Sequence, residues 1–420
     1  MVRAMVLGAL CVASLLGAQE PADSLVLTRD QAIARALAAN PLLEVARQQV
    51  AEARAQGTQA SAFPDPDVNA DWTGLSKPFQ PGTRTGSDVS VGLTLPFPQK
   101  FLYLRRAGQA GVRSAEFAYE QQRQQVVSDA AQGYDALLVA LQHRRDLSAA
   151  RDLAADFLKK TEARFAGGTV PKIDVIKARV DLSQAQNDLI ANQRDLANAG
   201  SALNRTMGRL LRLPVSPADS LTVPPAVGDL DSLVARALSQ RPELHGLDAE
   251  RAGARSSATL AQQYFLPDVS LAAEKNVAAG SPNAYTLYFG ASVPLFFWNH
   301  QRGEVAEARH RVCELDASYR DLESQVEQDV RTAWASADAA IRQATYLRDE
   351  LLPEAQRAYD IVASSYALGG SSALDVLDAK RTLLDAQNQY AEALGAANDA
   401  VFQLRLATGE SVDIAAGAVK

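Results

Sequence analysis

Asp375 and Asp378 stand three residues apart, so on a helix their carboxylates share one face. Ser372 lies three residues before Asp375, the spacing of a capping box, and acids suit the first turn of a helix through its dipole. The pattern occurs earlier as well, with Asp174 in the place of Asp375 but Lys177 in the place of Asp378. His310 and Cys313 are another pair at helical spacing, and imidazole with thiolate suits zinc or copper. No third ligand follows at a helpful interval, and the whole chain has only four histidines, so no metal site is expected. The glycine pairs at 167–168 and 369–370 lack the flanking residues of a phosphate loop, and no nucleophile elbow is present. The residues point to a non-enzymatic chain without a cofactor.

The elements that hold these residues come in two copies. Asn40-Pro41 corresponds to Arg241-Pro242, and Pro66-Asp67-Val68 to Pro267-Asp268-Val269. Gly168, Asp174 and Gly208 correspond to Gly369, Asp375 and Gly409, each pair separated by 201 residues. A duplication this long makes each half one structural unit. The division expected is residues 1–18 as an export signal, 19–220 and 221–410 as the two repeats, and 411–420 as a short tail.

The signal is read from Arg3 and the apolar stretch Ala4 to Leu16, with small residues at Gly17 and Ala18. Cys11 lies inside that stretch, so the mature chain keeps one cysteine, Cys313, and forms no internal disulfide. Beyond the signal no run of eighteen apolar residues occurs, which excludes an ordinary membrane-spanning helix and leaves membrane strands open. Alanine supplies much of the 47% hydrophobic content while aromatics are 6%, a balance suited to long, close-packed helices. The net charge of −7 gives no reason to expect nucleic acid.

Each half begins with two amphipathic helices, Leu27 to Ala39 and Leu42 to Ala62, then Leu230 to Gln240 and Glu243 to Phe265. Thr28 and Asp231 are the expected caps. Pro66 and Pro267 end the helical period, and alternation takes over. Val68, Ala70 and Trp72 alternate with Asp67, Asn69 and Asp71. Val89, Val91, Leu93 and Leu95 alternate with Ser90, Gly92 and Thr94. Val269 to Ala273 and Tyr285 to Val293 repeat the pair. One hairpin per half follows, with one dry face each. Four strands cannot close a bilayer barrel, and open edges cannot sit in lipid. Three chains sharing a barrel resolve this.

Long helices are expected over Tyr103 to Ala166 and Arg302 to Leu368, each reaching on the order of 95 Å at 1.5 Å per residue. Pro353 should kink or restart the second. Glycine turns follow, then heptad helices. Val175, Leu182, Leu189, Leu196 and Leu203 form one seam beside Ala178, Ala185 and Ala199; Val376, Leu383, Tyr390, Ala397 and Leu404 form its counterpart. A strict seven-residue repeat implies a left-handed coiled coil with the preceding long helix.

This order of segments resembles the TolC family of outer-membrane efflux factors. The fragments that carry the resemblance are "ALAANPLLEVARQQVAEARA", "ALSQRPELHGLDAERAGARS", "VGLTLPFPQKFLYLRRA", "FGASVPLFFWNHQRGEVAEAR", "ARFAGGTVPKIDVIKARVDLSQAQNDL" and "SSYALGGSSALDVLDAKRTLLDAQNQY". They span the mature chain. The exits "PFPQKF" and "PLFFWNHQRGEVAEA" look most like the heavy-metal and cation branch.

The resemblance implies a mainly α fold with a small β part: a homotrimer with a 12-stranded barrel in the outer-membrane lipid and a long α-helical barrel in the periplasm. It implies a passive exit duct that meets a periplasmic adaptor and an RND-type inner-membrane pump, exporting metal cations or small toxic compounds. It places Asp375, Asp378, Asp174 and Lys177 at the periplasmic mouth. There, six carboxylates from three chains would crowd one axis, raise some pKa values and favour cations. It makes Phe165, Gly168, Tyr366, Leu368 and Gly369 the adaptor-docking tips. Two other readings remain open: a soluble periplasmic coiled-coil scaffold or adaptor, and an exit duct for type I protein secretion.

Overall fold

The computed structural model describes residues 25–73, 86–278, 284–293 and 297–410. The expected signal segment and the tail lie outside these residues. A short strand β1, Leu25–Leu27, precedes α1, Arg29–Ala39, and α2, Pro41–Ala60. Thr28 caps α1 in a capping box with Gln31, and Asn40 both ends α1 and caps α2. Strands β2, Asp67–Thr73, and β3, Gly86–Leu95, lead into α3, Pro98–Ala166, and α4, Lys172–Thr206. After β4, Val215–Pro217, the plan repeats: α5, Leu230–Gln240; α6, Pro242–Gln262; β5, Asp268–Ala278; β6, Ala284–Ser292; α7, Phe297–Tyr346; α8, Leu352–Leu368; α9, Ala373–Ala407.

The cap of α5 differs from expectation. Asp229 rather than Asp231 accepts the hydrogen bond from the Ser232 amide, because the helix begins one residue before Asp231. Asp231 lies in the first turn, where it meets the dipole instead. The long α3 also begins earlier than expected. Pro98 sits at its start, where a missing amide proton costs nothing.

Between α7 and α8 the chain makes a π-helical turn, Leu347–Leu351, two residues before Pro353. A π turn inserts one residue, and the duplication records it. Tyr134 donates its hydroxyl to the Leu27 carbonyl, and Trp334, 200 residues on, donates its indole N–H to the Gly228 carbonyl. Past the π turn, Gly369 stands 201 residues from Gly168. The helix expected to kink or restart at Pro353 begins again as α8 at Leu352, with Pro353 in its first turn, after one extra residue.

The core is a wall of helices. Asn192 on α4 donates its amide to the Ala140 carbonyl of α3, and Leu203 packs over Gly133, so α3 and α4 run antiparallel. Ala178, Ala185 and Asn192 are buried, while Val175, Leu182, Leu189 and Leu196 are only half covered. From residue 175 to 196 the alanine seam therefore lies on the neighbouring helix within one chain, since small side chains let axes approach, and at Leu203 the leucine seam takes over, packed on Gly133. In α9 both seams are used: Val376, Leu383, Ala386, Ala393, Ala397 and Leu404 are all buried. On its α3 side, a Cβ on Gly395 would fall 2.4 Å from the Val139 side chain.

Four helix ends carry glycine at positive φ, Gly168, Gly208, Gly369 and Gly409. Each closes a Schellman pattern; at the first, Thr169 N–H bonds the Arg164 carbonyl and Gly168 N–H that of Phe165. Gly208 adds a second constraint. A Cβ there would lie 2.3 Å from the Ala39 carbonyl oxygen, so only glycine lets α4 end against the α1–α2 corner.

Candidate functional site

The four longer strands form one antiparallel sheet in the order β2-β3-β5-β6. Its register puts like with like. Val68 faces Val91, Val91 faces Ala273, and Ala273 faces Leu287; one row along, Leu93 faces Leu271 and Leu271 faces Phe289. Directly opposed residues share a face, so Val68, Val89, Val91, Leu271, Leu287 and Phe289 make one apolar surface. It is bare: Phe289 is 80% exposed and Leu287 69%. From Leu95 to Ser87 the sheet rises roughly 27 Å at 3.4 Å per residue, close to the ~25 Å lipid band of an outer-membrane barrel. Trp72 and Tyr285 stand at the loop end of this face, with the Lys275 ammonium 5.9 Å from the Tyr285 ring. Amphipathic side chains at that level fit a membrane–water interface.

The opposite face is polar. Asp71 faces Asp88, Glu274 faces Ser90 and Thr286, and the Tyr288 hydroxyl donates to Glu274 at 2.9 Å. Among the described residues, β2 and β6 each pair on one side only.

At the far end of the helices lies the tip. Gly168 and Gly369 reverse the chain there, and Phe165 and Leu368 are exposed, Leu368 by 90%. Tyr366 departs from its expected role as a docking surface. It is 2% exposed, packs on Phe157 at 5.3 Å between ring centroids, and shares a 3.1 Å hydrogen bond with the Thr161 hydroxyl. Arg164 stacks over the same ring and donates to the Tyr366 carbonyl. An aromatic in the heptad-spaced apolar stripe of α8 is drawn into the bundle, so Tyr366 fastens one hairpin to the other.

The acids are arranged as follows. Asp375 closes the capping box: its carboxylate accepts from the Ser372 amide and hydroxyl, both at 2.8 Å. Those two bonds, amide first, hold its pKa below the ordinary carboxylate range. Within one chain this is opposite in direction to the rise expected from crowding at an axis, because the partners of the carboxylate are local donors. Asp378 is exposed, and Asp174 and Lys177 are half-buried near the start of α4.

Sequence reasoning missed a buried ion pair near the tip. Lys380 on α9 is 3% exposed, and its ammonium lies 2.6 Å from Asp181 on α4. The available signal was a lone lysine four residues past Val376, on the apolar stripe. It also missed a buried network higher in the wall. Asp219 accepts from the Tyr134 hydroxyl at 2.9 Å and from the Arg29 amide at 2.8 Å, and the Arg29 guanidinium meets Asp135 at 2.6 Å.

Burial pushes the Asp135 carboxyl up to about 6; Arg29 pulls it down, and Asp399 and Asp219 push it further up. A folded value above the unfolded 3.8 means that the folded state holds the proton longer. The contribution is full below about pH 4 and is lost as pH rises through about 6. Two units correspond to about 3 kcal/mol. Asp135→Asn is expected to flatten the fall in urea midpoint across that window, and an unchanged pH profile would count against it.

His310 and Cys313 are exposed neighbours on α7. Among the described residues no group of three or more metal-ligating side chains comes together.

The chain matches the family model "Outer membrane efflux protein" over residues 32–209 and again over 233–410, one match for each half of the duplicated plan. The chain belongs to the outer membrane efflux protein family. Among curated relatives, this outer membrane efflux protein is 27% identical to the pyoverdine export outer membrane protein OpmQ of Pseudomonas aeruginosa, over 90% of this chain and 82% of that one. It is 24% identical to the cobalt-zinc-cadmium resistance protein CzcC of Cupriavidus metallidurans, over 88% and 87%. Solved structures share the fold: the outer-membrane channel OprN with a TM-score of 0.79 at 19% identity, covering 91% of this chain and 89% of that one, and CusC with 0.78 at 20%, covering 92% and 93%. This efflux protein is an outer-membrane protein that extends into the periplasm.

Proposed function

We propose that three copies of this chain form a passive exit duct, with a shared 12-stranded barrel in the outer membrane and an α-helical tunnel below it. The carrying observation is the four-stranded sheet, which among the described residues is apolar and uncovered on one face and unpaired at both edges. Lipid covers the face, and neighbouring copies pair the edges. The repeats 19–220 and 221–410 then supply two sixths of the wall each time.

The duct works by gating. Tyr366 and the Lys380–Asp181 pair hold the α3–α4 and α8–α9 hairpins together at the tip. A periplasmic adaptor docks on Phe165, Gly168, Leu368 and Gly369 and separates them. An inner-membrane pump of RND type supplies the energy. Asp375, Asp378, Asp174 and Lys177 line the mouth, and the capped, ionised Asp375 favours cations there. Metal cations or small toxic compounds are the cargo; likeness to both a cobalt-zinc-cadmium resistance protein and a pyoverdine export protein supports that breadth. A soluble scaffold would leave the apolar sheet in water. A type I secretion duct would share the same wall and differ in cargo.

In planar bilayers, the purified protein should give discrete conductance steps and a trimeric mass in detergent. Asp375→Ala with Asp378→Ala should weaken block by multivalent cations about tenfold or more, as expected when a ring of charge is removed. A monomer that stays in water without detergent would end the duct reading. Unchanged cation block would remove the acids from the mouth.

A further inference from the structure

The internal repeat gives each helix a counterpart, and the counterparts show which faces one chain leaves bare. α2 lies on α3 through the Arg54–Glu116 ion pair at 2.7 Å, and α6 lies on α7 through the Arg255–Asp316 pair at 3.1 Å. These pairs occupy matching positions in the two halves. α6 also has a second neighbour, α3. There Gly253 meets Ala110, with only 3.2 Å between a Cβ built on the glycine and the alanine Cβ. The Ser114 hydroxyl donates to Glu250 at 3.0 Å, and the Phe117 ring stacks on His245 at 5.3 Å.

The matching residues on α2 are Glu52, Gln49 and Glu44; on α7 they are His310, Glu314 and Ala317. All six are exposed in the single chain. The sheet has the same gap in the same place. β3 pairs with β5, while the counterpart edges, β6 and β2, face no strand among the described residues. Continuing the α3–α6 and β3–β5 contacts past the end of one chain brings α7 and β6 against α2 and β2 of a second. Such a contact is head-to-tail and closes into a ring.

We propose that His310 of one copy seats against Glu52 of the next, and that this pair, with Glu314 beside Gln49, forms the helical seam between copies. The proposal rests on the ring described above and adds its register. On its own helix His310 is flanked by Glu307 and Glu314, and Arg311 holds Glu314 at 2.7 Å. Across the seam, Glu52 receives the Gln56 side-chain amide at 3.3 Å and Glu44 lies two turns away. An imidazole inserted among these carboxylates can donate a ring N–H to one of them. The contrast with the seam inside the chain is chemical. Glycine on alanine closes that one by close approach, whereas histidine on glutamate keeps the seam between copies wider and polar.

The test uses the full-length protein in detergent and in vesicles. With Cys313→Ser to remove the native thiol, Glu52→Cys combined with His310→Cys should join copies covalently under mild oxidation. A seam a few tenths of an ångström wider than the 3.2 Å counterpart contact falls within the Cβ spacing a disulfide spans, about 3.5–4.5 Å. Either cysteine alone should give no ladder. Separately, His310→Glu should shorten the trimer half-life in denaturant about tenfold through three repelled seams, and Glu52→Lys in that background should lengthen it again. A trimeric protein that fails to cross-link, or a His310→Glu half-life equal to wild type, overturns the register while leaving the ring intact. A protein with no trimer in any detergent or vesicle overturns the ring itself.

Discussion

Replacing Asp181 by alanine is expected to destabilise the helical tip by about 3 kcal/mol, the lower end of what breaking a buried ion pair costs. The reason is the partner. Lys380 is almost wholly enclosed between α4 and α9, and Asp181 is the carboxylate within 4 Å that compensates it. Removing the acid leaves an ammonium without water or counter-charge, and the two hairpins relieve it by parting. Parting is the movement an exit duct needs, so the variant should also raise single-channel conductance without adaptor. Lys380→Met in the same background should restore most of the stability, because an apolar side chain of similar length fills the gap without a charge. The coupling is read from a double-mutant cycle on urea midpoints. If Asp181→Ala alone and the double variant unfold at the same midpoint, the pair does not hold the tip.

The second large effect belongs to the sheet. Leu271→Arg puts a guanidinium on the apolar face, beside Leu93 and Phe289 and well inside the band. Arginine at the bilayer midplane costs about 2–4 kcal/mol per chain in a β-barrel, and three chains carry it at once. The expected outcome is loss of folded trimer from outer-membrane fractions, with unfolded chain accumulating in the periplasm. Thr286→Lys is the control. It lies on the polar face, directly opposite Glu274, and should assemble normally. Equal assembly of both variants would show that the bare face does not meet lipid. The comparison also separates a duct from a soluble scaffold, for which the two faces would differ far less.

Much of this architecture is readable from residue order. The alternation in Val68-Asn69-Ala70 and in Val89 to Leu95 gave the dry face directly, because a strand has a period of two and no neighbour changes it. Gly168 and Gly369 marked the reversals, because positive φ excludes other side chains at little less than full cost. The Ser372–Asp375 capping box was readable for the same local reason. The burial of Tyr366 was not. Its spacing marks it as apolar-facing, but which helix faces it depends on how α3, α8 and α9 are set against one another. The choice between the leucine and alanine seams of α4 has the same origin. A heptad gives two candidate stripes, and only the approach of α3 selects one.

The sequence by itself determined the twofold plan, the strand faces, the turns and the absence of a spanning helix, since each rests on contacts within a few residues or on the repeat. The tertiary structure alone decided which charges meet. Lys380 and Asp181 lie 199 residues apart, Arg29 and Asp135 106 apart. Tyr134, Leu27 and Asp219 also converge from distant segments. Electrostatic and hydrogen-bond energies depend on distance in space, and nothing in chain order carries that distance until the helices have packed.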